Sequence, residues 1–201
     1  MSRYLLSLLT LAVTPVVAQS LAQGERDYAL SALHASRKLM LDTVSGLSEA
    51  QLKWKPAPNS WSIMEIAEHI EITEETLPQL VAAAMKSPAT PEKKQADPRQ
   101  TDYALMKNVP LRDKKLQAPE NIQPKGRFTK IADLEKAFRA ARDRDITYIR
   151  ETKDDLRNHF STHPALGDLD GLQWYILIAA HTERHVNQMK EVLASPGFPK
   201  K

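Results

Sequence analysis

Apolar residues recur every three or four positions in four long stretches of this sequence, and this spacing constrains the fold more than any other feature. The stretches cover residues 25–44, 62–80, 129–156 and 170–195. Side chains three and four positions apart lie on one face of an α-helix, so each stretch predicts an amphipathic helix. Glycine is scarce, with 6 residues in 201, which also favours helices. We therefore predict an all-α four-helix bundle.

Local signals mark the ends of three of these helices. Gly46 ends the first helix, because glycine typically follows a helix C-terminus. Ser62 with Glu65, and Asp170 with Gln173, have the spacing of capping boxes at the starts of the second and fourth helices. In a capping box each side chain satisfies a backbone N–H of the other residue. These positions set the boundaries of the predicted elements.

A long connection separates the second helix from the third. Residues 87–128 are polar and proline-rich, and they contain a short predicted helix over residues 99–106. A connection of this length is either functional or disordered, so a lid or wall over a pocket and a plain surface loop both remain open. Residues 47–52 form a short helical turn. Pro78 predicts a kink or a break in the second helix, because proline removes a helical hydrogen bond.

The first residues have the pattern of an export signal. Arg3 supplies a positive charge, residues 5–13 are apolar, and Ala18 ends a small-residue cleavage site. The apolar run is shorter than the roughly 20 residues that span a bilayer. We predict a signal peptide over residues 1–18 and an exported protein, periplasmic or secreted, with no membrane span after cleavage. Cleavage after Ala22 and an uncleaved anchor are the alternatives.

The remaining chain is predicted to form one domain. Residues 19–24 are a short linker, residues 25–195 the helical domain and residues 196–201 a C-terminal tail, a length that suits a single core. The sequence contains no cysteine, which excludes disulfides, thiolate metal ligands and a thiol nucleophile. A net charge of only +3, without a basic stripe, argues against a nucleic-acid partner.

Histidines carry the functional prediction. His181 and His185 lie four positions apart on the fourth helix, about 40° from each other and about 6 Å apart along its axis. They share a face with Ile178 and Val192, which should point into the bundle. His69 lies near the inward face of the second helix, and helix packing can bring its ring to the same point. Three neutral imidazoles there predict a divalent-metal site with open positions for water or substrate.

Other interpretations of the histidines follow from the spacing. A pair four apart can arise by chance, and His69 is then a core or boundary residue. A metalloprotease motif is excluded because Thr182, not glutamate, follows His181. A di-iron site is excluded because no histidine has glutamate three positions before it. The sequence gives less support for metal binding by the remaining histidines, which are His34, His159 and His163.

An ordered set of motifs resembles the DinB-like domain over residues 25–193. The motifs of the front half are Ser45-Gly46-Leu47-Ser48, Leu52-Lys53-Trp54-Lys55-Pro56 and Trp61-Ser62-Ile63-Met64-Glu65-Ile66-Ala67-Glu68-His69. Those of the back half are His163-Pro164-Ala165-Leu166-Gly167 and His181-Thr182-Glu183-Arg184-His185-Val186-Asn187-Gln188-Met189. The resemblance implies a four-helix bundle in which His69, His181 and His185 bind a divalent ion, zinc first and nickel second.

The resemblance also implies a class of activity. Family members include transferases and isomerases that use low-molecular-weight thiols, and uncharacterised proteins regarded as metal-dependent hydrolases. The export signal weakens the thiol-transferase interpretation, because those thiols are mainly cytosolic. We expect a metal-dependent hydrolase or transferase acting on a small-molecule substrate. The alternative is a non-catalytic metal- or ligand-binding bundle, and an interaction bundle without metal is the third interpretation.

The chemistry of such a site suggests further residues. A bound ion would lower the pKa of water toward about 7 or activate an incoming thiol. Gln188, one turn beyond His185, is predicted to orient a ligand or substrate. Glu65 and Glu68 are predicted to accept a ring N–H from a histidine. The sequence identifies no general acid or base, and it leaves a homodimer open.

Overall fold

Four long helices form the body of the protein in the computed structural model, which describes residues 20–114 and 117–200. The helices are, in chain order, α1 (Gln23–Val44), α2 (Glu49–Lys53), α3 (Ile63–Ala84), α4 (Pro98–Asn108), α5 (Ile131–Glu151) and α6 (Gly171–Leu193). Single 3₁₀ turns cover Pro91–Lys93, Glu120–Ile122 and Leu156–Asn158. The long helices α1, α3, α5 and α6 pack against one another around an apolar core. The predicted four-helix bundle is confirmed.

The helix ends have the caps that the sequence predicts. Ser62 and Glu65 form a capping box at the start of α3, and Asp170 and Gln173 form one at the start of α6. Each box satisfies two backbone N–H groups that have no partner within the helix. Gly46 follows α1 with a φ of 70°, a left-handed conformation that glycine adopts without steric cost.

Two helices differ from the predicted outline. Helix α1 begins at Gln23, inside the segment 19–24 that was predicted as a linker. Helix α3 continues through Pro78 without the expected break. Leu77 and Val81, on either side of the proline, pack into the core and favour a continuous helix.

A short β-hairpin lies before α6, where the sequence predicts only a turn. Strand β1 (Phe160–His163) pairs with antiparallel strand β2 (Gly167–Asp170), and Phe160 lies opposite Asp170. Each strand has only four residues, which is too short for an alternating pattern to stand out. Helix α5 ends at Glu151, so Leu156, predicted as helical, lies in a separate 3₁₀ turn and is still fully buried.

The predicted signal peptide, residues 1–18, lies outside the described residues. Within the described ranges, each helix is either too short or too polar to cross a bilayer.

The connection between α3 and α5 wraps around α6. Helix α4 packs beside α6. At one end of α4 the Gln173 side-chain amide donates to the Pro98 carbonyl at 3.3 Å, and at the other end Arg184 donates to the Val109 carbonyl at 3.1 Å. The 3₁₀ turn Glu120–Ile122 then contacts α3. These described parts of the connection are therefore held against α6 and α3.

One fully buried arginine ties all four long helices together. Arg142 of α5 pairs through two nitrogens with Glu74 of α3, one of them at 2.8 Å. The same guanidinium donates to the Leu33 carbonyl of α1 at 2.6 Å and to the Thr182 hydroxyl of α6 at 2.9 Å. The ion pair is excluded from solvent on both sides. Each charge of the pair is therefore balanced mainly by its partner and not by water.

A second buried arginine fixes the turn before the hairpin. Arg157 donates to Glu25 of α1 at 2.9 Å and to Asp170, the N-cap residue of α6, at 2.8 Å. It also forms a bidentate pair with Asp102 of α4, at 3.1 and 2.6 Å. Arginine suits this position because its planar guanidinium donates in several directions at once.

Candidate metal centre

Three histidine rings meet between α3 and α6. The Nε2 atom of His185 lies 3.1 Å from Nε2 of His69 and 3.1 Å from Nε2 of His181. One ligand atom from each ring lies within 4.8 Å of the others. The structure thus brings together the three residues that the sequence singles out. That they bind a metal ion stays a prediction.

The three rings are withdrawn from solvent. His69 is 1% exposed and His185 is 8% exposed, while His181 is partly buried. Burial lowers the pKa of His69. Burial, together with the neighbouring rings, lowers the pKa values of His181 and His185 well below their usual range. At neutral pH the rings are therefore uncharged, and each carries one N–H and one nitrogen lone pair.

Hydrogen bonds fix which nitrogen carries the proton in two of the rings. His69 Nδ1 lies 2.7 Å from the Ile122 carbonyl, which can only accept, so this nitrogen donates. His181 Nδ1 lies 3.4 Å from the Thr73 hydroxyl. That hydroxyl donates its own proton to the Ile70 carbonyl at 2.7 Å, so it accepts from the ring. In both rings the proton is on Nδ1 and the lone pair on Nε2.

The third ring follows the same pattern. His185 Nδ1 lies 2.9 Å from Oε1 of Gln188, an acceptor, so it also donates. Nε2 of His185 therefore lies 3.1 Å from the Nε2 atoms of both other rings, all three ligand atoms lie within 4.8 Å of one another, and no proton lies between them. A tetrahedral ion with bonds of 2.0–2.1 Å places neighbouring ligand atoms about 3.3 Å apart. The cluster has the donor set, the tautomers and the spacing that a divalent ion requires.

Gln188 lies beside His185, as predicted, whereas Glu65 does not bond to a histidine ring. The Glu65 carboxylate accepts from the Ser62 backbone N–H at 2.8 Å and pairs with Lys55 at 2.7 Å. Within the described ranges it makes no hydrogen bond to a histidine ring. Glu65 is the third residue of α3, so its side chain turns back to cap the helix. Its predicted role beside the metal ligands is wrong.

Glu68 also does not contact a histidine ring. Its buried carboxylate accepts from the backbone N–H groups of Lys125, Gly126 and Arg127, at 2.7, 3.1 and 3.1 Å. The predicted ring contact is therefore wrong. The carboxylate instead anchors the segment that follows Ile122, whose carbonyl accepts from His69. Glu68 thus helps to position the segment that carries the Ile122 carbonyl without contacting a ring itself.

Two partners of the rings were missed in the sequence. Thr73 lies four residues after His69 and hence on the same face of α3, so its spacing could have identified it. Ile122 contributes a backbone carbonyl, which every residue has, so no sequence signal pointed to it. Trp61 packs beside the His69 ring, with 5.1 Å between the ring centroids.

The other three histidines lie outside the cluster, and all of them are among the described residues. His34 is exposed on α1. His159 donates to the Ala84 carbonyl at the end of α3, at 3.1 Å. His163 accepts the Ala165 N–H at 3.1 Å within the hairpin turn.

We expect Glu68→Ala to release the segment after Ile122. Three backbone N–H groups would lose a charged acceptor, and bonds of this kind each contribute about 1.5–3 kcal/mol. Hydrogen exchange at Lys125, Gly126 and Arg127 should accelerate by about 10- to 100-fold. Mass spectrometry or NMR of the exchanging amides measures this effect.

Glu65→Ala is the matched control, because it removes a carboxylate only one turn away that caps α3 instead. It should leave exchange at residues 125–127 unchanged. Equal exchange in Glu68→Ala and the wild type would show that the carboxylate does not hold this segment.

The chain is similar to several known proteins. The profile of the DinB superfamily matches residues 32–189, a range that includes all three converging histidines. The uncharacterized protein YuaE of Bacillus subtilis (strain 168) is 24% identical over 163 residues, which are 81% of this chain and 96% of YuaE. The crystal structure of TT2238, a four-helix bundle protein, aligns with a TM-score of 0.48 and 20% identity, covering 82% of this chain and 98% of its own. Because the family match extends over most of the chain, the protein belongs to the DinB superfamily.

Proposed function

We propose that the protein is a divalent-metal-dependent enzyme, a hydrolase or transferase acting on a small-molecule substrate. The metal would be held by His69, His181 and His185. One observation carries this proposal: three buried Nε2 lone pairs face one another with no proton between them. Without a cation such an arrangement is repulsive, and buried polar atoms generally have a partner.

The number of ligands favours catalysis over a purely structural ion. Structural zinc sites have four protein ligands, whereas catalytic sites have three and keep a position open. In the part of the chain that the structure describes, the histidine group includes no carboxylate and no fourth histidine. When bound, a divalent ion would supply a Lewis acid for a substrate at the open position.

The surrounding residues would keep the ligands in place. Gln188, Thr73 and the Ile122 carbonyl each hold one ring by its Nδ1 proton and so direct its Nε2 inward. Trp61 covers one side of the His69 ring and restricts the access of water from that side. Neutral imidazoles suit both zinc and nickel. We propose zinc as the first choice, because three histidines with an open position are typical of catalytic zinc.

Metal reconstitution tests the proposal. The purified protein is stripped with a chelator, reloaded with zinc or nickel and analysed by plasma mass spectrometry. It is then assayed with ester, amide and thiol-transfer substrates. We expect one ion per chain and a turnover that disappears on chelation and returns with metal. A metal that raises the melting temperature without any turnover would indicate the non-catalytic alternative, and a chain that takes up no ion would exclude both.

Gln188→Ala should weaken the binding of zinc by about 10- to 100-fold, the usual effect of removing a hydrogen-bond partner of a metal-ligating histidine. Gln188→Glu retains an acceptor for His185 Nδ1 and is the control, expected to bind zinc at least as tightly as the wild type. Competition with a coloured chelator gives both affinities. Unchanged binding in Gln188→Ala would show that this amide does not orient the ring.

We also propose that the protein works outside the cytoplasm. The support is the charged start, apolar run and small-residue cleavage site of residues 1–18. Cell fractionation with N-terminal sequencing tests this, and recovery of an intact N-terminus in the cytoplasm would contradict it.

A further inference from the structure

A second candidate site lies between α3, α5 and α6. A surface cleft of about 840 Å³ opens there, and none of its lining residues belongs to the histidine cluster. Its apolar wall comes from α3: Pro78, Val81, Ala82 and Met85. Its polar side comes mainly from α5 and includes Asp145 and Tyr148, with Tyr175 from α6. The cleft thus combines an apolar strip with a titratable group.

Asp145 is the unusual residue of this cleft. It is only 4% exposed, and its Oδ2 has no hydrogen-bond partner among the described residues. The nearby Arg142 guanidinium does not donate to Asp145, because the Arg142 nitrogens donate to Glu74, Leu33 and Thr182 instead. A buried carboxyl oxygen without a partner is costly. Asp145 also lines the cleft, so a donor bound there would approach its carboxyl group.

Two tyrosine rings stand beside this carboxyl group. Tyr148 and Tyr175 lie with their centroids 5.4 Å apart. The Tyr148 hydroxyl donates to Oδ2 of Asp154 at the cleft edge, at 2.7 Å. Aromatic faces attract cations within about 6 Å of the ring. A cation at Asp145 would therefore lie in a cleft that two aromatic rings also line.

Among the other charged residues of the cleft, Glu74 is also buried but is paired with Arg142, and the rest lie nearer the rim. Glu75 is paired with Arg127 at 3.2 Å. Lys86 and Arg144 are exposed, so their ammonium and guanidinium groups can remain in water. Asp145 is thus the deep, uncompensated group. Burial, and then the Glu74 carboxylate, raise the pKa of Asp145 to about 8, so the carboxyl group ionises only above neutral pH.

We propose that this cleft binds a small organic ammonium ion. The ammonium group would donate to the Asp145 carboxylate beside Tyr148 and Tyr175, and the hydrocarbon part would lie along Val81 and Met85. A protonated amine fits better than a metal ion, because hard cations need several ligands and, among the described residues, no group of three or more ligand side chains surrounds Asp145. The site is independent of the histidine cluster and of the function proposed for it.

Calorimetric titration with n-hexylammonium tests the proposal. The full protein is first treated with a chelator, so that amines cannot bind to a metal, and is titrated near pH 9, where the carboxyl group is ionised and the amine still protonated. Hexanol and hexanoate are the matched neutral and anionic probes. We expect hexylammonium to bind at least about 10-fold more tightly than hexanol, the contribution of one charge-assisted hydrogen bond, and hexanoate not to bind.

Two variants locate the binding. Asp145→Asn keeps the shape of the side chain and should reduce hexylammonium affinity by about 10-fold or more. Ala82→Trp adds bulk at an exposed position of α3 and should block the cleft without disturbing the core. Glu75→Gln changes a rim carboxylate and should bind like the wild type. Equal affinities for hexylammonium and hexanol, or wild-type binding by both Asp145→Asn and Ala82→Trp, would overturn the proposal.

Discussion

Replacing His69 with alanine should lower the affinity of the protein for zinc by more than about 100-fold. Loss of a residue that merely hydrogen-bonds to a ligand typically costs 10- to 100-fold, and His69 contributes the converging nitrogen itself. It is also the only member of the cluster on α3, so its loss leaves two ligands on α6. Two imidazoles leave much of the coordination of the ion to water.

The experiment compares His69→Ala with His34→Ala. His34 is exposed on α1 and lies outside the cluster, so its replacement controls for the loss of a histidine as such. Competition with a coloured chelator gives the zinc affinity, and circular dichroism shows whether both variants fold. A folded His69→Ala protein that still binds one ion with the wild-type affinity would refute the three-histidine site.

Arg142→Met should destabilise the fold by about 3–5 kcal/mol, the usual cost of removing one partner of a buried ion pair. The Glu74 carboxylate would remain buried without its counter-charge. The Leu33 carbonyl would lose a donor as well. For a domain of this size the melting temperature should fall by roughly 10 °C. Urea unfolding followed by circular dichroism measures the change.

Two further variants separate the ion pair from the loss of a long side chain. Arg139→Met removes an arginine one turn away on α5, whose contact with Glu135 at 3.8 Å is half-exposed, and should change stability by less than about 1 kcal/mol. Adding Glu74→Gln to Arg142→Met removes the uncompensated charge and should recover part of the loss. If Arg142→Met is no more destabilising than Arg139→Met, the buried network does not hold the helices together.

The long helices could be predicted because two kinds of sequence signal agree along them. These signals are the spacing of apolar residues and the capping residues at the helix starts. The spacing of apolar residues in α1, α3, α5 and α6 indicates which face of each helix packs in the core. The capping boxes that begin at Ser62 and Asp170 mark the starts of α3 and α6. The break that Pro78 suggested is absent, because packing on both sides of the proline keeps the helix continuous, whereas the predicted kink stays a prediction. The hairpin was missed because four-residue strands carry too little pattern.

The candidate site was predictable in its histidines but not in their partners. The pairing of His181 and His185 follows from helix geometry, the place of His69 near the inward face of its helix added a third ring, and the resemblance to the family supported all three. Glu68 was predicted to accept from a histidine ring but instead accepts from the backbone of residues 125–127. Neighbouring residues on a helix point about 100° apart, so the Glu68 side chain faces away from the His69 ring. The Ile122 carbonyl lies 53 positions from His69 and becomes a partner only through the path of the connection.

The order of the ligands along the chain has a consequence for how the protein matures. Only His69 is present until the ribosome has made the last helix, and the other two nitrogens belong to that helix. A partly synthesised or still unfolded chain therefore offers a loading ion no preformed pocket. If the proposed site binds an ion, the choice among competing ions would be made where folding finishes, and the metal content of that compartment would decide which one the protein carries.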